Sequence, residues 1–445
     1  MHYEMNPAST YLIVSAAFQD AGDTTRAIAL AAAFREFCPE GHELKIEFLS
    51  CGSRFEGIIE KAGFKVVPCQ PRVEGRSVAD DLGWDFPEFF GSESIARTFI
   101  EGQLVALREL RPDVVLHGMW PAASLAARLL GIRTISFLPL PLHPASFTNG
   151  LIRDLPDMMP GLTRLPRPMR QWLARHFSQL MIHAPIFRQH RLGAAAAACG
   201  WPNKGPLSLF EIAKADLNLV NDLPTFHADY VHRLPDNVVI TGPLFARVHD
   251  TAELDADIAT HLRSKNHRGP SILVTMGSSG TKEFLFEAIR ALIMNPRDDW
   301  NAVILASHAI CSLDEARAVA NDDPRLLVTD RFIPAPAATA LSDVVIMHGG
   351  QGTVQTAIAA GTPVVGVALQ VEQQTNLDNV MDAGAGIRIQ RRSWHAKNIR
   401  RAVHEVLADP NYKVHAMQLA ETIRSMDGAR IAADCMWKFL LKDEK

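Results

Sequence analysis

The chain has 445 residues, 47% of them apolar and 21% charged, and its 45 basic and 49 acidic side chains leave a net charge of −4. That mix fits about two or three ordinary globular domains and excludes a disordered chain or a long coiled coil. It lacks the basic footprint of a nucleic-acid binder, and six scattered cysteines without a Cys-x-x-Cys fit neither a disulfide scaffold nor a zinc site.

The first ten residues are polar, and the apolar run at 11–18 is too short for a leader or a membrane span, so a soluble, cytoplasmic protein is expected. Residues 11–17 read as a buried strand, followed by a turn and a helix at 24–37. A strand at 45–49, a helix at 54–62 and a strand at 64–67 come next. Further short β-like runs fall at 114–117, 134–138, 217–220 and 238–241, with helical stretches between them. The pattern weakens into Pro, His and charged residues at 242–269 and then restarts. Strands are expected at 272–276, 302–306, 326–329, 344–348, 364–368 and 387–389, with helices at 284–293 and 353–360 among them. Strands alternating with helices at these spacings mean parallel sheets covered on both faces, hence the α/β class.

Residues 151–206 depart from the average, with eight Lys or Arg against Asp154 and Asp157. Met158, Met159, Met169, Trp172, Phe177 and Met181 are interleaved with them. One reading is a solvated helix pair with an apolar inner face. The other is an apolar, cationic patch for an acceptor molecule or for peripheral contact with a membrane surface.

The densest chemistry lies in Val344-Val345-Ile346-Met347-His348-Gly349-Gly350-Gln351-Gly352-Thr353, a strand running through glycines into a helix. Glycines at such a turn let backbone N–H groups approach an anion, and the helix start adds positive partial charge. Thr353 falls at a first-turn or N-cap position, where its hydroxyl can cap the helix or meet a phosphate. Taken alone, the segment reads equally as a tight turn needing glycine. Beyond Gly361-Thr362-Pro363 come Glu372-Gln373-Gln374-Thr375-Asn376 and then Gly384-Ala385-Gly386.

This layout resembles the nucleotide-sugar site of the family 1 glycosyltransferases, the group of the UDP-glucuronosyltransferases and the antibiotic and sterol glycosyltransferases. The family pattern is HGGxGT, a Gly-x-Pro turn, an Asp-Gln pair with a following Asn, and Gly-x-Gly. The resemblance implies a GT-B fold: two facing Rossmann-like domains with a cleft between them. It places an acceptor domain at 1–245, a linker at 246–268, a nucleotide-sugar domain at 269–422, and a helix crossing back at 423–445. It also implies that His348, Thr353 and the Gly350 and Gly352 backbone hold the donor diphosphate, with Ser278 and Ser279 adding donors. Phe332 and Ile333 would meet the base, and Glu372 and Gln373 the sugar. The implied activity is inverting, metal-independent transfer of a hexose-type sugar from a UDP- or dTDP-sugar, a co-substrate with no further cofactor. The acceptor would be a hydroxyl of a small, hydrophobic or lipid-like molecule.

Three positions depart from the family. Thr356 stands where many members carry a ribose-binding Glu, which leaves UDP and dTDP both open. Glu372 replaces Asp of the Asp-Gln pair. Gly22-Asp23 replaces the frequent Gly-His, making Asp23 the candidate base, with Asp20 and His143 next; the alternative for Asp23 is a helix cap. The Asp-x-Asp at Asp255 and Asp257 falls in the expected linker, so no metal site is expected. A nucleotide-sugar epimerase and a non-catalytic activator protein on the same fold are the competing readings.

Overall fold

The structure is a computed structural model that describes residues 9–18, 21–75, 78–85, 87–159, 161–212, 214–245, 253–263, 269–277, 279–331 and 333–441. The chain divides into two compact units, one built from 1–151, 177–247 and 427–445, the other from 152–176 and 248–426.

In the first unit the order is β1 (Ser9–Val14), α1 (Ala21–Glu36), β2 (Glu43–Ser50), α2 (Glu56–Lys61), β3 (Lys65–Pro68), α3 (Val78–Leu82), α4 (Glu93–Leu110), β4 (Val114–His117), α5 (Pro121–Leu129), β5 (Arg133–Phe137) and α6 (Pro144–Thr148). Helix α7 (Arg167–Met181), whose residues up to 176 belong with the second unit, follows, then β6 (Arg188–Gln189), α8 (His190–Ala198), β7 (Leu207–Ser208), β8 (Leu217–Val220) and β9 (Val238–Ile240). Seven strands form one parallel sheet in the order β3-β2-β1-β4-β5-β8-β9, while β6 and β7 pair by themselves. Alternation along β1 feeds two cores: Leu12 and Val14 pack with Leu30, Phe34 and Phe48 on one face, Ile13 with Leu49, Phe99 and Leu125 on the other.

The second unit contains α9 (Ala256–Leu262), β10 (Ser271–Thr275), α10 (Lys282–Ile293), β11 (Asn301–Leu305), α11 (Leu313–Ala320), β12 (Leu326–Thr329), α12 (Ala335–Ala340) and β13 (Val344–Met347). It continues with α13 (Gln351–Ala359), β14 (Val364–Gly366), α14 (Val371–Asp382), β15 (Gly386–Arg388), α15 (Ala396–Ala408) and α16 (Pro410–Arg424). Its parallel sheet runs β12-β11-β10-β13-β14-β15. Strand β13 is buried at every position, as its unbroken Val-Val-Ile-Met demands of a strand covered on both sides. The last helix, α17 (Gly428–Leu441), packs on α1 of the first unit; Trp437 stacks on Phe34 at 4.1 Å and donates its indole N–H to the Phe34 carbonyl.

These units differ from the expected segments in two places. Residues 152–176 belong with the second unit although they lie inside the expected first domain. The expected linker contains α9, whose Ile258 and Leu262 are buried in the second unit. Seven residues are too short for a helical period to stand out among Pro, His and charges.

Candidate functional site

In the second sheet the order reverses at β10, with β11 on one side and β13 on the other. The carboxyl edge at such a switch point is where open α/β sheets hold ligands. His348 sits there, directly after β13, and is 3% exposed. Its ring lies between two glycine backbones: a Cβ added at Gly277 would come within 2.5 Å of Cε1, and one at Gly350 within 2.5 Å of Nε2. Gly349 has φ +86°, and a Cβ there would meet the Gln373 carbonyl at 2.7 Å. The glycines therefore answer both to left-handed backbone and to close approach.

Gly350 is the N-cap of α13 and brings no side chain, so Thr353 is the third helical residue and half-buried. An added Cβ at Gly352 would meet nothing within 4 Å, so the helix start opens outward there. The Gln351 N–H donates to Glu372 Oε1 at 3.2 Å. Asn376 Nδ2 donates to the same oxygen at 2.6 Å and to the Gly349 carbonyl at 3.0 Å. A carboxylate at this spot complements the positive end of the helix. Thr356 turns its hydroxyl back to the Gly352 carbonyl at 2.8 Å.

Gln373, buried at the start of α14, accepts from the Leu369 N–H at 2.9 Å and donates to Ser279 Oγ at 3.3 Å. The turns after β10, β13 and β14 thus converge on one edge. Ile333 is buried after β12, and its neighbour Arg331 is held by Asp255 at 2.7 Å and Asp257 at 2.5 Å. Ser278 and Phe332 lie outside the described residues.

The first sheet reverses between β1 and β4, and Asp23 lies beside that point. It is the third residue of α1, beyond the N-cap position, and is 9% exposed. One carboxylate oxygen pairs with Arg26 Nη2 at 2.5 Å. The other sits against Gly118, just past β4, where an added Cβ would come within 3.0 Å of it and 3.1 Å of the Phe137 ring. Asp20 lies outside the described residues.

Residues 305–435 match the model of the erythromycin biosynthesis protein CIII-like C-terminal domain. A PGL/p-HBAD biosynthesis glycosyltransferase of Mycobacterium tuberculosis is 27% identical over 349 residues, 75% of this chain and 72% of that one. The 4′-demethylrebeccamycin synthase of Lentzea aerocolonigenes is 31% identical over 222 residues, 49% of each chain. Among solved structures, the glycotransferase of kitacinnamycin superposes with a TM-score of 0.63 at 19% identity, covering 98% of this chain and 99% of that one. The spinosyn rhamnosyltransferase complexed with thymidine diphosphate gives 0.56 at 16% identity, with 97% and 99% covered.

The chain is a glycosyltransferase of the GT-B fold.

In this glycosyltransferase, His348, Gly350, Gly352, Thr353, Glu372, Gln373 and Ser279 come together at one sheet edge, while Asp23 is in the other unit. A second layer escaped the sequence reading. Residues 152–170 form a strap fastened beside α14 through Arg388, which is buried at the end of β15. Arg388 donates to Asp378 at 2.6 Å, Asp154 at 2.6 Å and Asp157 at 3.0 Å. Arg170 closes on Asp154 at 2.8 Å, and Gln374 Nε2 donates to the Leu155 carbonyl at 3.0 Å. Burial would lower the Arg388 pKa, but the three carboxylates drive it upward. The available signal was an arginine between the apolar neighbours Ile387 and Ile389.

Two buried histidines of the first unit contribute to its acid sensitivity. His117 is fully buried, and His143 uses Nδ1 to accept the Ala145 N–H at 3.1 Å as the cap of α6. Burial lowers both to about 4 from an ordinary 6.5. With folded values depressed, their stabilisation is complete above pH 6.5 and is lost as pH falls toward 4. Moving from pH 8 to pH 5 is expected to remove about 2 kcal/mol per histidine. Urea unfolding at the two pH values checks this, and His117→Gln should flatten the slope. An unchanged slope in that variant would contradict it.

Proposed function

We propose that this glycosyltransferase moves a hexose-type sugar, with inversion, from a UDP- or dTDP-sugar to a hydroxyl of a small hydrophobic or lipid-like acceptor. The observation that carries the reading is the β13–α13 turn, where His348 is clamped between glycine backbones and the helix start opens at Gly352. Backbone N–H groups at a helix start favour the departing diphosphate, and His348 and Thr353 stand beside them. Ser279, bonded to Gln373, extends this donor surface, and we assign Gln373 and Glu372 to the sugar. Ile333, buried after β12, and Phe332 are assigned to the base. Asp23 is the base that receives the acceptor proton.

The relatives' names support the substrate class: one belongs to PGL/p-HBAD biosynthesis, another makes a rebeccamycin, and a structural neighbour was solved with thymidine diphosphate. Metal independence is supported by Arg331, which engages both carboxylates of the Asp255-Ala256-Asp257 segment. Thr356, bonded back to its own helix, brings no carboxylate for ribose hydroxyls and keeps both nucleotides in play.

Calorimetric titration with UDP and dTDP tests the donor site. His348→Ala and Thr353→Ala are expected to bind roughly 10-fold or more weakly, since a hydrogen bond to a charged group contributes about 1.5–3 kcal/mol. Glu372→Ala removes a negative charge from the same helix start, so free nucleotide should bind equally or more tightly while turnover falls. Parental affinity in the first pair, or weaker nucleotide binding in the Glu372 variant, would overturn these assignments. Incubation with UDP- and dTDP-sugars separates the enzyme classes. Transfer or slow donor hydrolysis marks a transferase, interconversion of free sugar nucleotides an epimerase, and silence an activator.

A further inference from the structure

Helix α7 is amphipathic in the reverse of the ordinary sense. Its inward edge is Arg170, Ala174 and Ser178; Arg170 binds Asp154, and Ser178 donates to the Phe147 carbonyl at 2.7 Å. Its outward face carries Met169 at 52% exposure, Trp172 at 53%, Phe177 at 43% and Leu180 at 68%. At 3.6 residues per turn these four side chains fill an arc of about 140°, far wider than chance exposure of single apolar residues. Leu162, on the turn that precedes α7, is also 42% exposed. Trp172 stacks on His176 at 4.7 Å.

The charge carried by the segment around α7 is of one sign. From Met158 to Phe210 the sequence has no Asp or Glu, but it has Arg164, Arg167, Arg170, Arg175, Arg188, Arg191 and Lys204. Arg170, Arg167 and Arg191 are tied to Asp154, Asp382 and Asp85. Arg164, Arg175, Arg188 and Lys204 are exposed. An apolar arc bearing Trp and Phe, in a segment whose own charges are all basic, has the chemistry of a helix lying in the headgroup layer of an anionic bilayer. No helix among the described residues is long and apolar enough to cross a membrane.

We propose that α7 seats the protein on an anionic phospholipid surface, with Trp172, Phe177, Leu180 and Met169 in the headgroup boundary and Arg164 and Arg175 against lipid phosphates. Seating here is independent of the sugar donor.

The test is flotation of the full chain with vesicles of phosphatidylglycerol and phosphatidylcholine, compared with phosphatidylcholine alone, at low and high salt. Binding is expected to the anionic vesicles and to weaken with salt. Trp172→Ser with Leu180→Ser should reduce partition at least 10-fold. Arg164→Gln with Arg175→Gln should reduce it about 5-fold per cation on anionic vesicles only. All four positions are exposed, so circular dichroism and the thermal midpoint should match the parent. Failure of the parent to float, or equal partition of parent and variants, would overturn the proposal. So would a concentration-dependent dimer that the Trp172/Leu180 variant abolishes, because the face would then belong to a second copy.

Discussion

Asp23→Asn is expected to lower kcat by roughly 10²–10⁴-fold while leaving the donor KM nearly unchanged. Asn keeps the size of the side chain and one acceptor oxygen but cannot take a proton at neutral pH. The residue is 9% exposed beside the switch point of the first sheet, held by Arg26 on one oxygen and pressed toward Gly118 on the other. That anchoring fixes the carboxylate without a partner that must move, the arrangement a base needs. If Asp23 only pairs with Arg26, the same substitution should lower stability by up to about 3–5 kcal/mol, the scale for breaking a buried pair, and leave turnover intact. Gly118→Ala supplies a second readout. Its Cβ would stand 3.0 Å from the carboxylate and 3.1 Å from the Phe137 ring, so the carboxylate must shift and kcat should fall with donor affinity retained. Parental turnover in Asp23→Asn would remove Asp23 from the chemistry. His143 is then a poor successor, because its Nδ1 already caps α6 and burial holds it near 4.

What was legible in the chain follows from burial. Strands covered on both faces are rich in apolar residues, so Val114–His117 and Leu217–Val220, buried at every position, stand where the sequence places them, as does Leu326–Thr329. The glycine turn at 348–353 was equally plain, because backbone that must approach an anion or another backbone leaves a compositional mark. Contacts between charged side chains far apart in sequence leave none. Nothing near Asp154 or Asp157 announces that Arg388, more than 200 positions later, will bury with them. For the same reason the Glu372 carboxylate was read as facing the sugar, with no sign of its bond to the Gln351 N–H. Composition raised a helix pair within 151–206, but composition alone does not say which face meets water. An apolar inner face holds for α8, which buries Leu192, Ala195 and Ala196, but not for α7, whose inner edge carries Arg170 and Ser178 beside Ala174.

Arg388→Met is expected to destabilise the second unit by about 3–5 kcal/mol, the scale for removing one partner from a buried ion cluster. Three carboxylates, Asp154, Asp157 and Asp378, would lose their common cation, and Arg170 reaches only the first of them. The pH dependence separates this from a simple packing defect. Burial lifts Asp378 to about 6 against the pull of Arg388, with Asp154 pushing the same way as burial. A raised folded pKa means that the stabilisation is complete below about pH 4 and is lost as pH rises through 6. Without Arg388 the opposing pull disappears, Asp378 holds its proton to higher pH, and the deficit should be largest near pH 8 and shrink toward pH 5. Urea unfolding of the two proteins across that range reads it directly; a deficit below about 1 kcal/mol, or one constant with pH, would refute the charge account. The consequence reaches the donor site before the unit unfolds. Asp157 donates its N–H to Gln374 at 2.8 Å, and Gln374 follows Gln373 on α14. A loosened strap therefore frees the helix that carries Glu372 and Gln373, and the donor KM should rise at temperatures where the Arg388 variant is still folded.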